Sequence, residues 1–293
     1  MAGDSDSRFL VTAKLETDQP RETVRLQRPL WLEGVTFWTV ADSVRHWAMH
    51  HDTFTASLFT GPRPSARATW HSRGEARVVA PGGVQLMAPG ETHRTTAVSE
   101  PASFFVLWWT PEAMKVAARE LGVSAPVQFT HAQLELPSVT AALRGLHDAV
   151  NVGESRLEIE HFYVESTAQL LRHAGPRELL PPRAGRHHPS VRRAKEFLHD
   201  SFAANVSLDD LARATNLSKF HLARCFRECT GMAPHQYQKL LRLQAARRLL
   251  EIGETVRSAA STAGFADASH LTRAFREWLG VSPGQWALAA SRG

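Results

Sequence analysis

Along the first 110 residues, short runs rich in Val, Thr, Phe and Trp are broken by Gly and Pro turns, the punctuation of strands rather than helices. The runs at 35–40, 53–59, 66–71, 76–79, 84–87 and 104–109 are separated by turns such as Gly61-Pro62, Pro81-Gly82-Gly83 and Pro89-Gly90. They predict a small β-barrel or sandwich. From Pro111 onward the apolar spacing becomes helical, predicting helices over 112–121, 136–150 and 156–174, the last two a hairpin that follows the strands. Gly175-Pro176, Pro181-Pro182 and residues 185–188 cannot continue a helix and carry few apolar side chains. They predict a linker at 175–188 between a domain of 1–174 and one of 189–293.

The last third of the chain repeats itself. At an offset of 49 residues, His221-Leu222-x-Arg224-x-Phe226-Arg227-Glu228-x-x-Gly231-x-x-Pro234-x-Gln236 matches His270-Leu271-x-Arg273-x-Phe275-Arg276-Glu277-x-x-Gly280-x-x-Pro283-x-Gln285. Each copy reads as a short helix (208–214; 256–263), a tight break, and a second helix opened by Ser218 or Asp267 and closed by Gly231 or Gly280. Ser207 with Asp210 has the spacing of a capping box. Residues 234–251 begin with Pro and predict one long helix joining two helix-turn-helix motifs, at about 208–230 and 256–279.

Charge separates the halves as well. Residues 186–293 carry 16 Lys and Arg against 9 Asp and Glu, a net of +7, whereas residues 1–185 are at −2. Six of the eight tryptophans lie in the first 110 residues. No apolar run approaches the roughly 20 residues needed to cross a bilayer, and residues 1–8 are polar, so neither export nor membrane insertion is expected. Cys225 and Cys229, four apart on one helix, suit neither a long-loop disulfide nor a four-ligand zinc site, and a reducing cytoplasm fits them. Two cysteines are also too few for a fused alkyl-transfer repair module.

On the second helix of each copy, Leu222, Phe226 and Cys229, or Leu271, Phe275 and Trp278, form the expected buried stripe. The other face is predicted to carry Lys219, Phe220, Ala223, Arg224 and Arg227 in the first copy. In the second it carries Ala268, Ser269, Thr272, Arg273 and Arg276, with Ser218, His221 and His270 at the margins. Small residues beside arginines suit a helix that enters a DNA major groove, about 12 Å wide, where an arginine can bond guanine O6 and N7 together. Arg224 and Arg273 are the expected base readers. Arg227 and Arg276 are the expected phosphate contacts. Two such helices roughly 34 Å apart would read a bipartite site on one face of double-stranded DNA. A solvated helix face is the plain alternative for any single charge run.

These residues, with Leu217-Ser218, Gly231-x-x-Pro234-x-x-Tyr237, Arg242-Leu243-x-x-Ala246 and Gly264-Phe265, resemble the DNA-binding domain of AraC/XylS-type transcriptional regulators over residues 187–289. The resemblance implies a domain of seven helices that reads DNA with both motifs, the first more consistently. Carried over residue by residue, the groove positions are Phe220, Ala223 and Arg224, and Ala268, Ser269, Thr272 and Arg273. It departs from the family pattern at Leu271, where an aromatic is frequent. It further implies homodimerisation through the hairpin region, a meeting with RNA polymerase, and more often activation than repression.

Residues 30–110 resemble the cupin-type sensor half of the same regulators, through Gly82-Gly83-x-x-x-x-Ala88-Pro89-Gly90-x-x-His93 and an upstream histidine at His50 or His51. The fold class expected is therefore two domains: a cupin-like N-terminal β-barrel or sandwich with a helical hairpin, and a C-terminal all-α domain. The run His50-His51-Asp52-Thr53-Phe54 lacks the His-x-His plus Glu pattern of metal-dependent cupins, so no metal, no other cofactor and no catalytic residue is expected. Trp38, Arg45, His50 and His93 are the candidates to bind a small organic effector, although buried tryptophans are ordinarily core and His93 also reads as a hydrogen-bonded turn histidine. A ligand-responsive transcription factor, not an enzyme, is the expected function. A cupin metalloenzyme with an appended helical domain is the alternative.

Overall fold

A computed structural model describes residues 10–15, 21–123, 126–175, 189–230, 232–279 and 281–290. Nearly all of the expected linker, and both Gly231 and Gly280, lie outside these described residues. The chain forms two compact units. One holds the described residues up to Gly153 together with 162–175; the other holds 154–161 and the described residues from Pro189 onward.

The first unit is built on strands β1 (Leu10–Leu15), β2 (Thr23–Pro29), β3 (Val35–Ser43), β4 (Ala48–His50), β5 (Phe54–Thr60), β6 (Ala68–Ser72), β7 (Glu75–Val79), β8 (Val84–Met87), β9 (Thr92–Val98), β10 (Ala102–Trp109) and β11 (Gln133–Leu134). They form two antiparallel sheets, ordered β1-β2-β3-β10-β5-β8-β11 and β4-β9-β6-β7. One apolar cluster draws on both: Val40, Phe59, Phe104 and Val106 from the first, Trp70 and Val79 from the second. Helices α1 (Pro111–Glu120) and α2 (Pro137–Val152) follow, and α3 (Arg156–Ala174) shares its residues between the two units.

Strands β5 and β10 lie in the middle of the larger sheet, and their alternate side chains serve two purposes. Phe105 and Leu107 are fully buried, and Phe105 meets His147 of α2 at 5.2 Å. The opposite set, Phe104, Val106 and Trp108, lies beside Val40, Trp38, Ser57 and Thr55 on neighbouring strands. This is why β10 reads as a nearly continuous apolar run, whereas β5 alternates, with Thr55 and Ser57 on the side of Trp108 and Val106. The edge of α2 is fixed by Thr140, whose hydroxyl donates to the Gly82 carbonyl at 2.5 Å.

The helical unit contains α4 (Pro189–Ser201), α5 (Leu208–Thr215), α6 (Lys219–Thr230), α7 (Pro234–Glu251), α8 (Val256–Thr262), α9 (Ala268–Leu279) and α10 (Pro283–Ala290), seven helices from Pro189 onward among the described residues, the number the resemblance implied. The capping box is present: the Asp210 N–H donates to Ser207 Oγ at 3.0 Å and the Ser207 N–H to Asp210 Oδ2 at 2.9 Å. Connector α7 is tied to the segment between α4 and α5 by two buried polar side chains. Gln238 and Arg242 both donate to the carbonyls of Phe202 and Ala204, at 2.8 to 3.1 Å. Leu243, Ala246 and Leu250 of the same helix pack with Ala260, Phe265, Leu271 and Phe275 of the second motif.

The buried stripe of each second helix differs from expectation at its end. Cys225 is fully buried and Cys229 only partly so, and Ala274 is buried while Trp278 is not. The core side chains follow the spacing of Leu222, Cys225 and Phe226, and the last turn runs past the core.

Candidate nucleic-acid interface and barrel pocket

Each second helix of the two motifs is started by a side-chain cap. Ser218 Oγ accepts the His221 N–H at 3.3 Å, and Asp267 Oδ1 accepts the His270 N–H at 2.6 Å. The repeat therefore places like side chains at like positions of α6 and α9. Arg227, Arg273 and Arg276 are exposed, as is Ser269. Ser218, Lys219, His221, Arg224, Ala268 and Thr272 are partly exposed. Arg224 lies 3.9 Å from Glu228 one turn on, Lys219 pairs with Asp209 at 3.3 Å, and the Thr272 hydroxyl donates to the Ala268 carbonyl.

Three of the expected groove residues are not on an exposed face. Phe220 and Ala223 are each 5% exposed and His270 is 7% exposed. The apolar arc of α6 is wider than the stripe read from the repeat, and it takes in Phe220 and Ala223 beside Leu222 and Phe226. His270 is held by Glu154, whose carboxylate lies 3.2 Å from its Nε2.

Glu154 belongs to a buried polar cluster that sequence reasoning missed. Lys239 of α7 pairs with Glu158 at 3.2 Å and with Glu154 at 3.9 Å, and the His161 and His235 rings lie 4.6 Å apart. Glu160 accepts the Leu208 N–H at the start of α5 and pairs with Arg156 at 2.8 Å. A carboxylate against the positive end of a helix is favourable. Burial pushes Glu158 up towards neutrality, to about 7, with the charge of Lys239 opposing. Burial also keeps His235 uncharged at neutral pH. The sequence signal was a cluster of acids, Glu154 just before α3 and Glu158 and Glu160 in its first turns.

In the β unit a pocket lies among Trp38, Trp47, Trp108, Phe104, Val40 and Val106 on one side and His51, Thr55, Ser57, Gln85, His93 and Thr95 on another, with Met49 and Met87. Strand register builds it. Trp38, Val106, Ser57 and Gln85 face one another in a row across β3, β10, β5 and β8; Trp108, Thr55 and Met87 form the next row. Trp38 lies 5.3 Å from Trp47 and 5.0 Å from Trp108, ring centre to ring centre.

Of the four residues expected to bind an effector, Trp38 and His93 line this pocket. Arg45 does not: it pairs with buried Glu22 at 2.7 Å, and its guanidinium lies over the Trp47 ring at 5.6 Å. The side chain of His50 lies outside the described residues, and the neighbouring histidine, His51, is the one in the pocket. His51 Nε2 and His93 Nδ1 are 2.7 Å apart, and His51 Nδ1 is 3.1 Å from the Thr55 hydroxyl. Among the described residues no group of three or more His, Cys, Asp or Glu side chains is placed to hold a metal ion.

Burial, reinforced by His51, lowers the pKa of His93 from 6.5 to about 4. A depressed histidine contributes stability that is present above 6.5 and is lost as pH falls through the folded value, because the unfolded chain takes up the proton first. The full difference corresponds to about 3 kcal/mol. Urea unfolding of the β unit at pH 7.5 and 4.5 should show this loss, and His93→Gln should remove most of the histidine's share of it. An unchanged pH dependence in the variant would show that His93 is not the group responsible.

Residues 211–289 match the family "Helix-turn-helix domain" and residues 67–165 match "AraC-like ligand binding domain". The chain is similar to the uncharacterized HTH-type transcriptional regulator YbfI of Bacillus subtilis, 30% identical over 198 residues that span 66% of this chain and 71% of that protein. It is 38% identical to the HTH-type transcriptional activator RhaS of Escherichia coli over 77 residues, 26% of this chain and 28% of RhaS. A solved probable AraC family transcriptional regulator from Rhodopseudomonas palustris aligns at 26% identity and a TM-score of 0.34, covering 35% of this chain and 98% of that one. With two capped helix-turn-helix motifs at one end and a ligand-binding domain at the other, the chain belongs to the AraC-type transcriptional regulators, proteins that bind DNA.

Proposed function

We propose that the protein activates transcription in the cytoplasm as a homodimer, in contact with RNA polymerase, when a small molecule occupies the pocket among Trp38, His51 and His93. The division of labour we propose is effector binding and dimerisation in 1–174, and DNA reading in 189–293, with 175–188 as the linker. One observation carries the DNA-reading assignment: the repeat sets Arg224 and Arg273, and Arg227 and Arg276, at equivalent positions of two helices that are capped alike. Arg224 and Arg273 read bases. Ser218, Lys219, His221, Ala268, Ser269 and Thr272 flank them in the grooves, and Arg227 and Arg276 hold phosphates.

The same reading makes the protein a regulator and not an enzyme. His51 and His93 are paired with one another, and among the described lining residues none is a carboxylate, thiol or lysine.

The phosphate assignment has a direct test. Arg227→Ala and Arg276→Ala should each weaken binding to all duplexes alike and reduce the slope of log affinity against log salt by about 1. Fluorescence anisotropy titrations on two unrelated duplexes at several salt concentrations measure both quantities. A loss confined to one sequence would move that arginine from the backbone into the groove.

A further inference from the structure

The pocket's lining also restricts what it can bind, an inference that rests on the reading of this pocket as the effector site. Among the described residues fourteen side chains line it, and none is Asp, Glu, Lys or Arg. The titratable groups among these fourteen are His51 and His93, and His93 stays neutral well below pH 7. A charged ligand would leave water without a counter-charge to meet it. The two register rows also give the pocket a direction: tryptophans stand on β3 and β10, while Thr55, Ser57 and Gln85 stand on β5 and β8. His51 and His93 add hydrogen-bonding nitrogen beside Thr55. The Trp38 and Trp47 indole nitrogens are buried donors with no acceptor among the described residues.

The geometry points to an uncharged, amphipathic effector: a single aromatic or alicyclic ring that lies against Trp38, Trp47 and Trp108, carrying one or two oxygens that meet Ser57, Gln85 and the histidine pair. Carboxylic acids, amines and polyhydroxylated sugars are excluded. An acid or amine has no partner of opposite charge among the described lining residues, and a sugar's many hydroxyls are more than the two indole N–H groups of the tryptophan wall can meet. The free space is about 40 Å³, room for a few water molecules but not for a ring, so the ligand must part the tryptophans on binding. That movement supplies the readout.

The test uses the full-length chain and a set of probes that share one ring: benzyl alcohol, benzoate and benzylamine, with xylose as the polyol. Intrinsic tryptophan fluorescence and thermal denaturation are followed during titration. Benzyl alcohol should shift the fluorescence and raise the Tm at concentrations at least tenfold below those at which benzoate, benzylamine or xylose acts. Ser57→Val and Trp38→Phe should each weaken benzyl alcohol binding at least fivefold. Benzoate, benzylamine or xylose binding as tightly, and weakened by the same two substitutions, would overturn the proposed class while leaving the pocket as the effector site. Benzyl alcohol binding that neither substitution alters would overturn the pocket assignment itself. Absence of any response to benzyl alcohol overturns the proposal as well.

Discussion

Replacing Arg224 by alanine should weaken binding to a cognate duplex by about 1–3 kcal/mol, a loss of roughly five- to 150-fold, and should flatten base preference within one half-site only. Arg224 occupies the middle of α6 and is partly exposed, with Glu228 3.9 Å away one turn on. The equivalent Arg273→Ala should produce a similar loss at the other half-site, because Arg273 occupies the same place on α9 and is exposed. Binding measured by anisotropy on duplexes altered in one half at a time separates the two. An Arg224→Ala protein that kept both affinity and preference would remove Arg224 from the reading set.

The second large effect concerns the scaffold. Gly264 follows the C-cap residue of α8, Ala263, at φ +81°, and a Cβ there would overlap the Ala203 carbonyl oxygen and lie 2.6 Å from the Ala203 Cα. The neighbouring atoms are backbone, which cannot swing aside. Gly264→Ala should therefore destabilise the helical unit by about 2–4 kcal/mol, combining the left-handed backbone cost with the overlap, and lower its Tm by about 10 °C or more. Gly253 is the control. It has φ +89° but nothing within 4 Å of its Cβ position, so Gly253→Ala should show the backbone cost alone, about 1 kcal/mol. Equal losses at the two glycines, measured by thermal denaturation, would mean that contact with Ala203 contributes nothing.

This contrast also shows why some of the architecture was legible in the sequence. Gly264-Phe265 recurs in the family motif for a physical reason: the glycine admits Ala203, and Phe265 fills the core of the second motif. Arg242 is in that motif because its guanidinium satisfies two carbonyls of a connecting segment. Such requirements are local and chemically narrow, so a motif can carry them. The bounds of α7 and α3 were legible for similar reasons, Pro at the start of one and sustained helical spacing in the other.

What escaped the sequence depends on neighbours that are distant along the chain. Strand β9 was not predicted, because His93, Arg94, Thr95 and Thr96 give no apolar alternation and only pairing with β4 and β6 makes a strand of them; β2 was missed because the alternation of Val24 and Leu26 with Arg25 and Gln27 is short, and pairing with β3 completes it. The buried sides of Phe220 and Ala223 were assigned to the partner face because one helix alone does not show how wide its covered arc is. His270 was placed at the edge of that face, and a carboxylate more than 100 residues earlier takes it. Within the pocket, Trp38 and His93 were visible as candidates, whereas Thr55, Ser57 and Gln85 were not. Their signal was present in a weaker form: polar residues at alternate positions inside strands that are otherwise apolar, which is costly unless those residues face a cavity or a ligand.

The central claim, that one chain reads two sites with two equivalent helices, is tested most directly by selection from a library of randomised duplexes with the full-length protein, followed by sequencing of the bound pool. The account predicts an enriched bipartite motif whose halves are separated by about one helical turn, roughly 10 base pairs, with Arg224→Ala erasing the preference in one half and Arg273→Ala in the other. Enrichment of a single undivided motif that both substitutions abolish together would contradict it.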